Sequence, residues 1–177
     1  MANLKPGDKV IPFTLPGVDD KEHSLSDYAD AGALAVIFSC NHCPYVRAWE
    51  DRMVQIQADY ADKGVQFLAI NSNDIRRYPE DSFPKMKERA QEKGFNFPYL
   101  FDESQEVPRA YGARYTPEVF LFDQAGILQY HGAIDDNYDN PNAVKKQYLR
   151  DALDAILAGE TPPVQQTHPV GCTIKWK

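Results

Sequence analysis

Residues 33–39 (ALAVIFS) are apolar almost without interruption up to Cys40, the pattern of a strand buried on both faces. Pro44 follows, then Val46, Trp49, Met53, Ile56 and Tyr60. Their steps of three or four residues draw an amphipathic helical stripe, and Gly64 is its stop. A second buried-strand run, VQFLAIN, occupies 65–71. Strand, helix and strand on short connections predict a right-handed parallel crossover. A polar loop then leads to a helix over roughly 80–93 closed by Gly94, a short apolar run at 97–101 and a brief helix around 104–112. Pro108 fits that helix only in its first turn. EVFLFD (118–123), the turn Gln124-Ala125-Gly126 and ILQYHG (127–132) predict a β-hairpin. Val144, Tyr148, Leu149, Leu153, Ile156 and Leu157 share one face of a helix expected over 142–158, with Gly159 as its cap.

The order β-α-β, α, hairpin, α predicts an α/β domain with a mixed central sheet, helices on both faces and an antiparallel edge. There is no repeat and no linker-like tract, so 1–177 is expected as one domain, with the proline-containing stretch 160–177 as an extended C-terminal tail. The net charge of −7 comes without a basic cluster, which argues against a nucleic-acid partner. No apolar run reaches the roughly 18 residues of a membrane span. MANLKPGDKV has neither the apolar core nor the cleavage site of a signal peptide, so a cytoplasmic location is expected.

Three cysteines are too few for a disulfide scaffold, and in a reducing compartment closely spaced ones point to catalysis or metal binding. Cys40-Asn41-His42-Cys43-Pro44 falls where a buried strand ends and a helix begins. Unpaired backbone N–H groups and the positive end of the helix dipole favour a thiolate there. A free thiol, with a pKa of about 8.5, is only slightly ionised at neutral pH, so such stabilisation is large in rate terms. Cys40, first in the turn and expected as the more exposed, is the candidate attacking sulfur, and Cys43 the resolving one. His42 adds a titratable cation beside the pair. The rival chemistry is a metal site on Cys40 and Cys43 with His168 or Cys172, but a second Cys-x-x-Cys or a spaced His pair is missing.

These residues resemble the thioredoxin-like superfamily, whose Cys-x-x-Cys lies between the first central strand and its helix. Tyr115-Thr116-Pro117-Glu118-Val119 is similar to that superfamily's cis-proline loop. Gly7 to Leu15, with His23-Ser24-Leu25-Ser26-Asp27-Tyr28, resembles the N-terminal extension of its redoxin (AhpC/TSA, peroxiredoxin-like) branch, and the ending Gly171-Cys172-Thr173-Ile174-Lys175-Trp176 resembles the terminal segment of a peroxiredoxin-like subgroup. The resemblance implies a three-layer α/β/α thioredoxin-like fold with a redoxin-type extension. It implies a thiol–disulfide oxidoreductase in which Thr116 and Pro117 shape the substrate site. It also implies a thiol or disulfide substrate, a cellular reductant and no bound cofactor. A thiol-dependent peroxidase with antioxidant activity is the alternative. The peroxiredoxin loop Pro-x-x-x-Thr-x-x-Cys is broken, however, because Ile37 stands where the threonine would be. Thioredoxin's tryptophan is replaced by Ser39, and the strand entering the motif carries no acid, so its usual proton acceptor is expected to be absent.

Cys172 is the remaining candidate, as a resolving or regulatory thiol or as tail packing. A tail from 160 to 172 reaches up to about 40 Å, enough to meet Cys40 from most edges. Tyr45 and Trp49 are expected in the core. Asn71-Ser72-Asn73-Asp74 reads as a polar loop, Arg47 as an exposed helix charge with an anion-holding role as the alternative, and His23, His131 and His168 as histidines without an identifiable partner.

Overall fold

The computed structural model describes residues 3–177; Met1 and Ala2, the start of the segment weighed above as a leader, lie outside the described residues. Five strands make the central sheet. β3 (Ala33–Ser39) runs parallel to β4 (Val65–Asn71), which runs parallel to β5 (Tyr99–Phe101). On its other side β3 is antiparallel to β7 (Glu118–Asp123), which forms a hairpin with β8 (Leu128–Gly132). The order is β5-β4-β3-β7-β8, the mixed sheet that the pattern predicts. Before it, β1 (Thr14–Pro16) and β2 (Glu22–Ser24) form a small antiparallel pair in the N-terminal extension.

The uninterrupted apolar run of β3 has a direct cause. Ala33, Ala35 and Ile37 face one core with Trp49, Met53, Ile56, Met86, Leu149 and Leu153, which belong to α1 (Pro44–Tyr60), α2 (Phe83–Lys93) and α4 (Tyr148–Leu157). Leu34, Val36 and Phe38 face a second core built with Leu4, Phe13, Leu15 and with Val107 and Tyr111 of α3 (Glu106–Tyr111). Side chains alternate across a strand, so a strand covered on both faces must be apolar at every position. Three layers result.

Two helices are shorter than their periodicity suggests. The expected helix at 80–93 begins at Phe83, because Pro79–Asp81 forms a separate 3-10 turn. The expected helix at 142–158 begins at Tyr148. Asp136 holds the backbone N–H of Lys145 at 3.0 Å and donates its own N–H to the Lys146 carbonyl at 3.2 Å, drawing that segment into an extended connection. Val144 therefore lies outside the helix. Pro108 is the third residue of α3, within the first turn as required.

Residues 160–177 contain no helix but are not a free extension. His131 accepts from Thr167 N–H at 3.0 Å, and β9 (Cys172–Thr173) pairs antiparallel with β6 (Tyr115–Thr116). Ile174 is buried in the second core, its N–H bonded to the Arg114 carbonyl at 2.8 Å. A sequence rich in proline and polar residues gives no periodic sign of this docking, which is held by backbone pairing and one anchor side chain.

Phe120 stands at the centre of the second core, edge-on to Phe38 and Tyr111 with ring centroids 5.6 and 5.4 Å away. Phe120→Ala is expected to destabilise the fold by about 3–5 kcal/mol, because the sheet on which the hairpin is built cannot collapse into the void. Urea unfolding followed by far-ultraviolet circular dichroism checks this; a loss below about 1 kcal/mol contradicts it.

Candidate active site

The motif emerges from the end of β3 and caps α1. Cys43 occupies the position before the helix, and Pro44, with no N–H to leave unpaired, takes the first helical place. Cys40 is 1% and Cys43 0% exposed, so the expectation that Cys40 is the more open of the two is not met. Cys40 Sγ lies 3.6 Å from Thr116 Oγ1, and Cys43 Sγ lies 3.4 Å from the Thr116 carbonyl oxygen. The Thr116–Pro117 peptide is cis, as the resemblance implies. Thr116 therefore meets both sulfurs, one by its hydroxyl and one by its carbonyl.

Glu118 shapes this loop. It is buried, its Oε1 accepts from the N–H groups of Arg114 and Tyr115 at 2.9 and 3.0 Å, and its Oε2 pairs with His131 Nε2 at 2.5 Å. His131 is thus not without a partner. Nor is His23, bonded to the Tyr28 hydroxyl at 2.6 Å, nor His168, whose Nδ1 meets the Pro169 carbonyl at 2.8 Å.

The acid that β3 lacks arrives from elsewhere. Asp81, fully buried, comes from the turn before α2. One carboxylate oxygen accepts from the Asn41 backbone N–H at 2.7 Å and Asn71 Nδ2 at 3.3 Å. The other accepts from Asn73 Nδ2 at 3.0 Å and meets His42 Nδ1. Ligating atoms of Cys40, His42 and Asp81 all lie within 4.8 Å of one another. The expected absence of a buried acid near the pair is therefore corrected. His42 faces this carboxylate and stacks on Tyr78, centroids 5.3 Å apart, rather than standing as an isolated cation beside the cysteines.

The run 71–74 is likewise not a plain polar loop. Asn71, Ser72, Asn73 and Asp74 are buried, and Asn73 Oδ1 accepts from Lys175 N–H at 2.9 Å, linking Asp81's network to the chain's end. Arg47 donates from Nε to the Asn41 carbonyl at 3.0 Å and so braces the motif instead of holding an anion. Neither Asp81 nor Glu118 was marked by the sequence pattern. The available signals were polar residues directly after a buried strand, and an acid interrupting the apolar run after Pro117.

One thiolate is well accommodated here. The hydrogen bond from Cys40 is the largest cause that draws the Cys43 thiol down to about 4, helped by Cys172 and the Val46 backbone N–H. Cys40 is held well above the ordinary thiol range by that same bond to Cys43, then by burial and the Asp81 carboxylate. Cys172 packs against this pair from β9. The grouping with metal-ligand character joins Cys40 to His42 and Asp81, not to Cys43 and His168 as the metal alternative had it. Chemically, the arrangement offers a buried dithiol holding one thiolate, with the backbone edge of the cis-proline loop covered by β9.

The AhpC/TSA family model matches residues 6–131. A solved structure of an uncharacterized conserved protein from Geobacillus kaustophilus is 44% identical, covers 97% of this chain and 92% of its own, and has a TM-score of 0.92. That of a candidate thiol:disulfide interchange protein DsbE from Chlorobium tepidum is 27% identical, covers 88% and 99%, and has a TM-score of 0.71. The thiol-disulfide oxidoreductase ResA of Geobacillus thermodenitrificans is 29% identical over 70% of this chain and 66% of its own length, so the chain spans just under two thirds of that relative. The fold is thioredoxin-like, with the mixed sheet and flanking helices described above.

Asp81→Asn removes the negative charge that opposes Cys40 ionisation. The pH profile of Cys40 alkylation, read by peptide mapping, is expected to move to lower pH. A profile unmoved or shifted upward would show that this carboxylate does not act on the sulfur.

Proposed function

This chain belongs to the AhpC/TSA family, and on that premise we propose that it is a thiol–disulfide oxidoreductase acting through Cys40 and Cys43. The observation that carries the reading is the pair itself, two free cysteines buried side by side against the cis-proline loop, with one thiolate stabilised between them. Relatives named as thiol-disulfide oxidoreductases support the same reaction class.

Cys40 attacks a disulfide substrate. Its proton is lost to solvent, the Cys40–substrate bond forms, the substrate disulfide breaks, and one substrate sulfur leaves as a thiolate that takes a proton from solvent. The Cys43 thiolate then attacks Cys40 Sγ, releasing the second substrate sulfur and leaving a Cys40–Cys43 disulfide. Two electrons have moved from the protein to the substrate, and a cellular dithiol reductant must restore them. Thr116 Oγ1 at 3.6 Å is placed to hydrogen-bond the Cys40 sulfur, and Glu118 holds the N–H groups of Arg114 and Tyr115 just before it. The peroxidase alternative is disfavoured by Ile37 at the position of the peroxide-orienting hydroxyl.

This reading includes a reducing cytoplasm and a cellular reductant, supported by a cysteine count too low for a disulfide scaffold. Among the described residues no helix is long and apolar enough to cross a membrane. Fractionation of tagged full-length chain tests the location, and recovery outside the cytoplasm would overturn it.

Two measurements test the activity. Cys43→Ser is expected to accumulate a mixed disulfide at Cys40 with a disulfide-bearing substrate, because no resolving thiol remains to displace it. Cys40→Ser is expected to lose at least about 100-fold in reductase rate. Retention of the wild-type rate in Cys40→Ser would remove Cys40 from the attack. The reduction potential in a glutathione series is expected to lie above thioredoxin's value of about −270 mV, because the surroundings stabilise the reduced pair's thiolate.

A further inference from the structure

The C-terminal strand carries a third thiol to the pair and is built to keep it there. In the β6–β9 ladder Cys172 is paired with Thr116, the residue whose carbonyl and hydroxyl oxygens contact Cys43 and Cys40. Gly171 makes the approach achievable: a Cβ at that position would stand 2.1 Å from the Thr116 carbonyl oxygen. Beyond Cys172 the strand is clamped twice, by Ile174 in the second core and by Lys175, which donates to Asn73 Oδ1 at 2.9 Å and accepts from Asp74 N–H at 2.8 Å. Cys172 packs against the buried cluster of Cys40, Cys43 and Val46, in which Cys40 also meets the Thr116 hydroxyl. Packing alone would not require a thiol facing another thiol.

We propose that Cys172 is a third exchange cysteine that converts the Cys40–Cys43 disulfide into a Cys43–Cys172 disulfide and frees Cys40. The proposal rests on the oxidoreductase reading only for the first disulfide. The Cys172 thiolate attacks Cys43 Sγ; the Cys43–Cys172 bond forms as the Cys40–Cys43 bond breaks, and the electron pair leaves with Cys40. The proton lost by Cys172 is regained, through solvent, by the Cys40 thiolate. No electron enters or leaves the protein, so no further oxidant is needed. Docking of the strand supplies the high effective concentration that favours an intramolecular exchange.

The order of events follows from charge. In the reduced protein, burial and then the Cys43 thiolate push the Cys172 thiol up to about 11, which keeps it silent. Once Cys43 is in a disulfide its negative charge is gone, and Cys172 ionises more readily. The oxidising equivalent then rests on a disulfide that staples the tail to the motif, while Cys40 is again a thiol able to attack.

The test oxidises the reduced full-length chain with oxidised glutathione, quenches in acid, alkylates the remaining thiols and maps the disulfides by mass spectrometry. Wild type is expected to yield Cys43–Cys172 with alkylated Cys40, alongside Cys40–Cys43. That alkylated Cys40 is expected to be lost in Cys172→Ser, where only Cys40–Cys43 remains. Cys40→Ser is expected to form Cys43–Cys172 directly, and Gly171→Val, by undocking the strand, to lose that linkage while keeping Cys40–Cys43. If wild type forms Cys40–Cys43 but Cys40→Ser leaves Cys43 and Cys172 as thiols or glutathione adducts, the third-cysteine proposal falls and the oxidoreductase stands. If wild type forms no internal disulfide, both fall.

Discussion

A single buried carboxylate ties the active site together. Asp81 comes from the turn before α2, yet it accepts from the backbone of Asn41 inside the motif, from the side chains of Asn71 and Asn73 at the end of β4, and from His42. A charge with no exposed surface is costly unless its oxygens are satisfied, and four donors satisfy these. Meeting that requirement fixes the loop carrying Cys40 relative to the sheet edge. Asn41 is held further by Tyr99, whose hydroxyl donates to its side-chain carbonyl at 2.7 Å, and by Arg47 from the helix. Asn73 passes the constraint on to Lys175 and the C-terminal strand. Motif, sheet edge and tail are therefore one polar network.

The same carboxylate bears on the chemistry through its charge. It faces Cys40, whose thiol is kept protonated, while the helix end and the neighbouring thiols accommodate a thiolate at Cys43. Two sulfurs of one motif are thereby given opposite tendencies by environments only a few residues apart. The reduced pair thus holds one thiolate in a buried setting, through the hydrogen bond between its two sulfurs. On the other wall, Glu118 performs the corresponding structural task for the cis-proline loop, holding two consecutive N–H groups and His131.

The strand, helix and hairpin positions were largely legible in the chain because they arise from local periodicity: β3 buries both faces, α1 buries one stripe, and Gly64 takes a left-handed conformation that ends the segment. The start of α4 was not, because Asp136 competes for the backbone of Lys145 and Lys146 by hydrogen bonds that hydrophobic periodicity does not report.

Cys-x-x-Cys at a strand–helix junction is a local statement, so Cys40 and Cys43 were legible from sequence alone as the candidate redox pair. The tertiary structure decided the rest: that Asp81 supplies the acid missing from β3, that His42 faces it, that the asparagines after β4 are buried ligands of it, and that Cys172 is brought back to the pair. Each is a polar or backbone contact between different elements, eight residues apart for Asn73 and Asp81 and 39 for His42 and Asp81. Hydrophobic period reports which face of an element is buried, but it carries no information on which distant polar group will satisfy a buried donor. That choice is made only when the layers close and every buried polar atom must find a partner.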